Sequence, residues 1–167
     1  MTGWGVVGHS GCRRRTVEEQ DDSAEFLGTH HHAMDTKGRL VLPATFRELL
    51  KEGMVMTIGY DNCLTLQTTS EWKKTLTTLR SLKTSNPRER LFTRLVASNA
   101  EPQTLDKQGR ISIPQDLREY ARLDKDVAVV GAVTRVEIWD AVRWDEYEGG
   151  GLSNLAELSA EFDINIF

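Results

Sequence analysis

Four short strand-like apolar runs, each bounded by polar turns, stand out along the chain, and they fall into two pairs. MVMTIGY (54–60) and CLTLQ (63–67) make the first pair; VAVVGAV (127–133) and RVEIW (135–139) make the second. Ahead of each pair lies a stretch with helical spacing. Phe46, Leu49 and Leu50 share one face of PATFRELLKEG, and Leu117, Tyr120 and Ala121 share one face of PQDLREYARL. Each stretch starts with proline, which suits the first helical position because its missing N–H has no partner there anyway. Gly53 is a natural end for the first helix. Between the two sets, SEWKKTLTTLRSLK carries Trp72, Leu76 and Leu79 at helical spacing, with Ser70 as the expected N-cap. NPRERLFTRLVASN starts at Asn86–Pro87 and turns Leu91 and Leu95 inward. The two form a helical hairpin.

The pairing is a duplication. DTKGRLVLP (35–43) returns 71 residues later as DKQGRISIP (106–114), with Asp35/Asp106, Gly38/Gly109, Arg39/Arg110 and Pro43/Pro114 in register. Leu40 and Leu42 return as Ile111 and Ile113. After a one-residue shift, Gly59 matches Gly131, Leu64 matches Val136, Leu66 matches Ile138 and Trp72 matches Trp144. Each unit therefore reads strand, loop, strand, short helix, strand, turn, strand. Two copies are too few for a solenoid. A single copy would bury too little apolar surface to stand alone, so a pseudo-twofold pair around one core is expected. The fold class is α+β and mostly β. The divisions are a disordered extension over 1–25, a first unit over 26–72, a helical insert over 73–99, a second unit over 100–148 and an acidic tail over 149–167. Gly149–Gly151 serve as a flexible joint before a short amphipathic helix through Leu152, Leu155, Leu158 and Phe162.

The repeated loop carries the chemistry. An aspartate at its start accepts backbone N–H groups further along and closes a tight turn. Gly38 and Gly109 supply the positive φ such a turn needs. Strand alternation then sends Leu40, Leu42, Ile111 and Ile113 inward and leaves Arg39 and Arg110 outside, beside Lys37 and Lys107. Asp35 and Asp106 could simply pair with their own arginines. A twinned surface, however, suits a twinned ligand.

A formal net charge of −4 at first disfavours a nucleic-acid partner. The total hides a division: residues 26–99 hold eleven basic and six acidic side chains, whereas 100–148 hold seven and eleven. The field of a basic half is local, decaying over about 8–10 Å at physiological salt. Two cysteines, Cys12 and Cys63, form no C-x-x-C pair, which favours the reducing cytoplasm. No apolar run approaches the roughly 18 residues of a membrane span. The charges of MTGWGVVGHSGCRRR follow its weak apolar stretch, the reverse of an export signal.

FLGTHHHAMDTKGRLVLPATFREL, with the second DKQGRISIP and the NPRER insert, resembles the MraZ family over roughly residues 26–148. The resemblance implies two AbrB-like swapped-hairpin units, each marked by D-x-x-x-R, and a bacterial DNA-binding transcriptional regulator. It implies binding to short direct repeats of double-stranded DNA upstream of its own operon, in the division and cell-wall gene cluster, and assembly into homo-oligomeric rings on the nucleoid. By that match Arg39 and Arg110 contact DNA with Lys37 and Lys107 beside them, while Asp35, Gly38, Asp106 and Gly109 shape the loops. Arginine is well suited to reading guanine O6 and N7, and lysine to holding phosphates. The division of charge also favours head-to-tail contact between chains.

Other classes fit less well. His30, His31 and His32 invite a metal, but alternation lets only His30 and His32 share a face. Cys63 with a distant histidine, or Asp61 with Asp35, lacks any local catalytic signature. Gly59, Gly131 and the glycine triplet make no phosphate cradle. No cofactor, metal or enzymatic activity is expected. The alternative is an antitoxin-like or other protein-interaction module of the same fold, with the tail helix as its partner segment.

Overall fold

The computed structural model describes residues 24–164 and Ile166. Apart from Ala24 and Glu25, the expected extension over 1–25 lies outside the described residues. The first unit comprises strands β1 (Thr29–Ala33) and β2 (Arg39–Val41), helix α1 (Ala44–Leu50), and strands β3 (Met54–Ile58) and β4 (Leu64–Thr68). Helices α2 (Thr69–Ser81) and α3 (Pro87–Ser98) follow. The second unit repeats the order with β5 (Glu101–Gln103), β6 (Arg110–Ser112), α4 (Gln115–Tyr120), β7 (Asp126–Gly131) and β8 (Val136–Asp140). Helices α5 (Ala141–Ser153) and α6 (Leu155–Glu161) follow β8.

Strand pairing shows why neither unit stands alone. The six-stranded antiparallel sheet has the order β1-β7-β8-β4-β3-β5, which exchanging the two units maps onto itself. The first strand of each unit does not pair with its own unit: β1 docks on β7, and β5 docks on β3. The remaining pair, β2 and β6, forms a separate two-stranded ribbon across the pseudo-twofold. Alternation along the strands sends Met54, Met56, Leu64, Leu66, Val127, Val129, Val136 and Ile138 to one face. There they meet Leu40, Leu42, Ile111 and Ile113 from the ribbon and Phe46, Leu50 and Leu117 from α1 and α4. One core, drawn from both units, thus lies between the sheet and the ribbon.

Helices cover part of the sheet's other face. Thr68 caps α2 by accepting the Glu71 N–H at 3.2 Å. Asp140 caps α5 by accepting the Arg143 N–H at 3.2 Å. Thr68 and Asp140 stand at equivalent positions of the two units. Trp139 packs edge-on to Trp144 at 5.4 Å and against Tyr147 at 4.8 Å, over Cys63 and Ala128.

Several expectations need correction. The cap of α2 is Thr68 rather than Ser70, because β4 runs straight into the helix; Ser70 Oγ instead sits 3.0 Å from Thr68 Oγ1. Leu91 and Leu95 do not turn inward: they are 57% and 46% exposed, on a helix that touches the sheet through other residues. Leu49 is also exposed, since Phe46 and Leu50 already fill the core beneath α1. Gly149–Gly151 open no joint, because α5 continues through them to Ser153. Glycine weakens a helix by roughly 1 kcal/mol relative to alanine without forbidding it, and capping and aromatic docking upstream hold the helix. The break falls at Asn154, whose N–H bonds Gly151 O at 3.1 Å, so Leu152 belongs to α5 and Leu155 and Leu158 to α6.

Gly131 marks where the units interlock. Its N–H donates to Gly28 O at 2.7 Å, and a methyl added there would stand 2.5 Å from the backbone of Phe26 and Leu27. Gly131→Ala is therefore expected to cost about 1–3 kcal/mol, as overpacking against backbone does. Urea unfolding of the two proteins measures it, and equal midpoints would contradict the close approach.

Candidate nucleic-acid interface

The two loops are built alike, atom for atom. Asp35 Oδ1 accepts the N–H groups of Lys37 at 2.9 Å and Arg39 at 2.8 Å, and Oδ2 accepts Arg39 Nε at 2.6 Å. Asp106 Oδ1 accepts from Gln108 at 2.8 Å and Arg110 at 2.9 Å, and Oδ2 accepts Arg110 Nε at 2.7 Å. Gly38 and Gly109 have φ of 77° and 73°, and each donates its N–H to the loop aspartate's carbonyl at 3.0 Å. The backbone N–H of Arg39 is the main force holding the Asp35 carboxyl below its ordinary pKa, with the Arg39 side chain and the Lys37 N–H adding to it. Asp106 is lowered in the same way by Arg110 and Gln108.

The ribbon brings the two loops side by side. Arg39 pairs with Ser112, Leu40 with Ile111 and Val41 with Arg110. Each loop glycine extends the pairing, since Leu42 donates to Gly109 O at 3.1 Å and Ile113 to Gly38 O at 2.9 Å. Leu40 and Ile111 are buried, so Arg39, Val41, Arg110 and Ser112 take the outward face. Arg39 and Arg110 are diagonal neighbours on it, a relation that sets residues roughly 7–8 Å apart, with their Cβ atoms somewhat closer.

Internal pairing and outward presentation therefore coexist. Each guanidinium is held by its Nε alone, and the side chains remain 36% and 24% exposed. Among the described residues the terminal nitrogens of Arg39 and Arg110 have no protein acceptor. The lysines are less symmetric. Lys37 is the third loop residue and corresponds to Gln108, whereas Lys107 is the second and corresponds to Thr36.

Two further arginines, which stand in no motif of the sequence, meet the loops. Arg47 of α1 lies against Gly109 of the second unit, and Arg118 of α4 lies against Gly38 of the first. Both stand twelve residues beyond their loop aspartate, in FRE and LRE, so the same 71-residue offset could have found them.

The other candidates lie elsewhere. His30 packs edge-on to Phe46 at 5.3 Å and stands 6.5 Å from His32, whose pKa burial lowers with help from the charges of His30 and His31. Among the described residues no group of three or more His, Cys, Asp or Glu is arranged to hold a metal. Cys63 is buried, which pushes its thiol up to about 12 and leaves it a poor nucleophile. Asp61 faces α5, where Tyr147 Oη lies 3.5 Å away, while Asp35 is bound within its own loop. A cleft of about 470 Å³ is lined by Trp72, Phe92, Leu95, Trp139 and Tyr147, on the sheet face opposite the core and ribbon. Among the described residues no helix is long and apolar enough to cross a membrane.

Fold and site together define a tandem swapped-hairpin protein that presents two basic loops on one ribbon. Residues 26–95 and 96–161 each match the family model described as "MraZ protein, putative antitoxin-like". The chain is 48% identical over 142 residues to the transcriptional regulator MraZ of Moorella thermoacetica, covering 83% of this chain and 99% of the relative. It is 46% identical to that of Clavibacter michiganensis subsp. michiganensis, over 85% of this chain and 99% of the relative. The Acetivibrio thermocellus regulator of the same name is 46% identical over 74% of this chain and 87% of its own length. The chain belongs to the MraZ family. It is a transcriptional regulator and not an enzyme.

Because both loop aspartates ionise more readily in the fold than outside it, their contribution to stability is present at neutral pH. It is lost only as pH falls through their lowered folded pKa values. Carboxyl carbon resonances of Asp35 and Asp106 are expected to titrate below the ordinary aspartate value. A midpoint at or above that value would mean that the arginine N–H groups do not hold the carboxylates in solution.

Proposed function

We propose that the β2–β6 ribbon is a DNA-reading surface, and that this regulator binds double-stranded DNA by laying the ribbon in the major groove. The observation that carries the reading is the pairing of the two loops. It sets Arg39 and Arg110 diagonally on one outward face, each gripped by Nε with its terminal nitrogens unclaimed. A two-stranded ribbon is an element the major groove admits, and a forked guanidinium is the group that donates two parallel bonds to guanine O6 and N7. Lys37 and Lys107, without that fork, anchor phosphates and set register. Asp35, Gly38, Asp106 and Gly109 keep the arginines in place. The target is a set of short direct repeats in the regulator's own promoter, in the division and cell-wall gene cluster, and nucleoid association follows from it.

Head-to-tail assembly into a ring belongs to the same proposal. The basic α2–α3 hairpin exposes Leu91, Phe92 and Leu95, and the acidic α5–α6 segment exposes Leu152, Leu155, Leu158 and Phe162. A contact between two such different surfaces is heterologous, and it closes into a ring when the rotation allows. Several ribbons on one ring would engage tandem repeats by effective concentration.

A mobility shift on the DNA upstream of this gene tests the first part. Arg39→Ala and Arg110→Ala are each expected to lose about 1–3 kcal/mol of discrimination against scrambled DNA. Equal losses on both sequences would reassign the arginine to phosphate, and no loss on either would favour the protein-interaction reading of the fold. Light scattering tests the second part: a multiple of the 18.9 kDa chain is expected at micromolar concentration, and a monomer mass would dismiss the ring.

A further inference from the structure

The guanidiniums of Arg47 and Arg118 raise a question that the loops themselves do not answer. Each crosses from its own unit to the loop of the other. A methyl added at Gly109 would run into Arg47 Nη1 and stand 2.5 Å from its Cδ. A methyl at Gly38 would stand 2.9 Å from Arg118 Cζ. The loop glycines are thus needed twice, for their positive φ and for the arginine that lies against them. Gly38 and Gly109 also accept the ribbon's last hydrogen bonds, so each arginine is seated where ribbon and loop meet.

Among the described residues neither guanidinium has a hydrogen-bond acceptor or a carboxylate within reach, and Nε of each is shut off from solvent without one. The nearest acidic neighbours in sequence are occupied: Glu48 pairs with Lys51, and Glu119 Oε1 accepts from Gln115 Nε2 at 2.9 Å. A desolvated donor without an acceptor destabilises the fold that holds it. A fold that carries this twice, at symmetric places, holds two positive groups ready for an acceptor from outside. Of each guanidinium only Nε is closed off in this way, so the terminal nitrogens are the atoms left to meet it.

We propose that Arg47 and Arg118 are a second pair of ligand-binding residues, taking phosphate oxygens of the DNA backbone on either side of the ribbon, each from beneath the opposite unit's loop. This rests on the DNA reading above. It divides the work: Arg39 and Arg110 at the centre face bases, and Arg47 and Arg118 at the flanks hold backbone. Because each flank arginine belongs to the other unit's helix, a loop and its phosphate clamp come from different halves of the chain.

The test uses the full chain with Arg47→Met and Arg118→Met together, which keeps an unbranched stem against the glycines and removes the charge. Arg47→Lys with Arg118→Lys is run alongside, as are wild type and Arg39→Ala. Affinity for the upstream duplex and for a scrambled duplex is measured across a salt series, with thermal melting of each protein. The methionine variant is expected to melt no lower than wild type and to weaken on both duplexes alike. Its plot of log affinity against log salt should be shallower by about 0.9 per arginine removed. The lysine variant should keep most of the slope. If the methionine variant keeps the wild-type slope and loses only discrimination, the two arginines merely brace the loops and the proposal is overturned. Unchanged affinity on both duplexes overturns it as well. Should the methionine variant fail to fold, a lysine variant with wild-type melting but weaker, less salt-dependent binding would also count against it. Failure of wild type to bind any duplex, with Arg39→Ala no different, would remove the DNA reading and this proposal together.

Discussion

The exchange of first strands between the two units is the constraint on which everything else rests. Because β1 pairs with β7 and β5 pairs with β3, neither unit can complete its sheet from its own residues. The same exchange lays β2 against β6 and sends Leu40, Leu42, Ile111 and Ile113 into one shared core. The loops are consequently anchored on their inner side by buried leucine and isoleucine and joined edge to edge by hydrogen bonds. The ribbon thereby sets the spacing of their outward residues, and the loop aspartates add one contact to each arginine.

Each loop aspartate does two things at once, and the balance between them shapes the site. One oxygen closes the turn through backbone N–H groups, and the other takes Arg39 or Arg110 by Nε. An ion pair that engaged the whole fork would leave an arginine with nothing to offer. An arginine with no pair would sweep through many rotamers and lose conformational entropy on capture. Holding the side chain by one nitrogen reduces that freedom and leaves the terminal nitrogens unspent.

Much of this was legible in the residues. The 71-residue offset, the glycine and proline punctuation and the strand–helix order predicted the duplicated fold, and alternation around Arg39 and Arg110 gave their direction. Three things were not legible, each for a physical reason. Which strand pairs with which is a long-range choice that local spacing does not encode, so the ribbon could not be seen before the structure. Arg47 and Arg118 gave no signal of their own, because the loop glycines they lie against sit in the other unit. The glycine triplet looked like a hinge because propensity is a weak prior, and Asp140, Trp144 and Tyr147 upstream outweigh it. Leu91 and Leu95 misled for the opposite reason: helical periodicity marks an apolar stripe but does not say whether this chain covers it.

The loop residues that differ between the copies have an effect that the shared ones do not. In a dimer of identical chains both loops would be the same, and the face they form would look alike from either end. Here the halves are joined in one polypeptide, and Thr36–Lys37 sits across from Lys107–Gln108. The pseudo-symmetric face therefore has a head and a tail, and its two ends can be told apart.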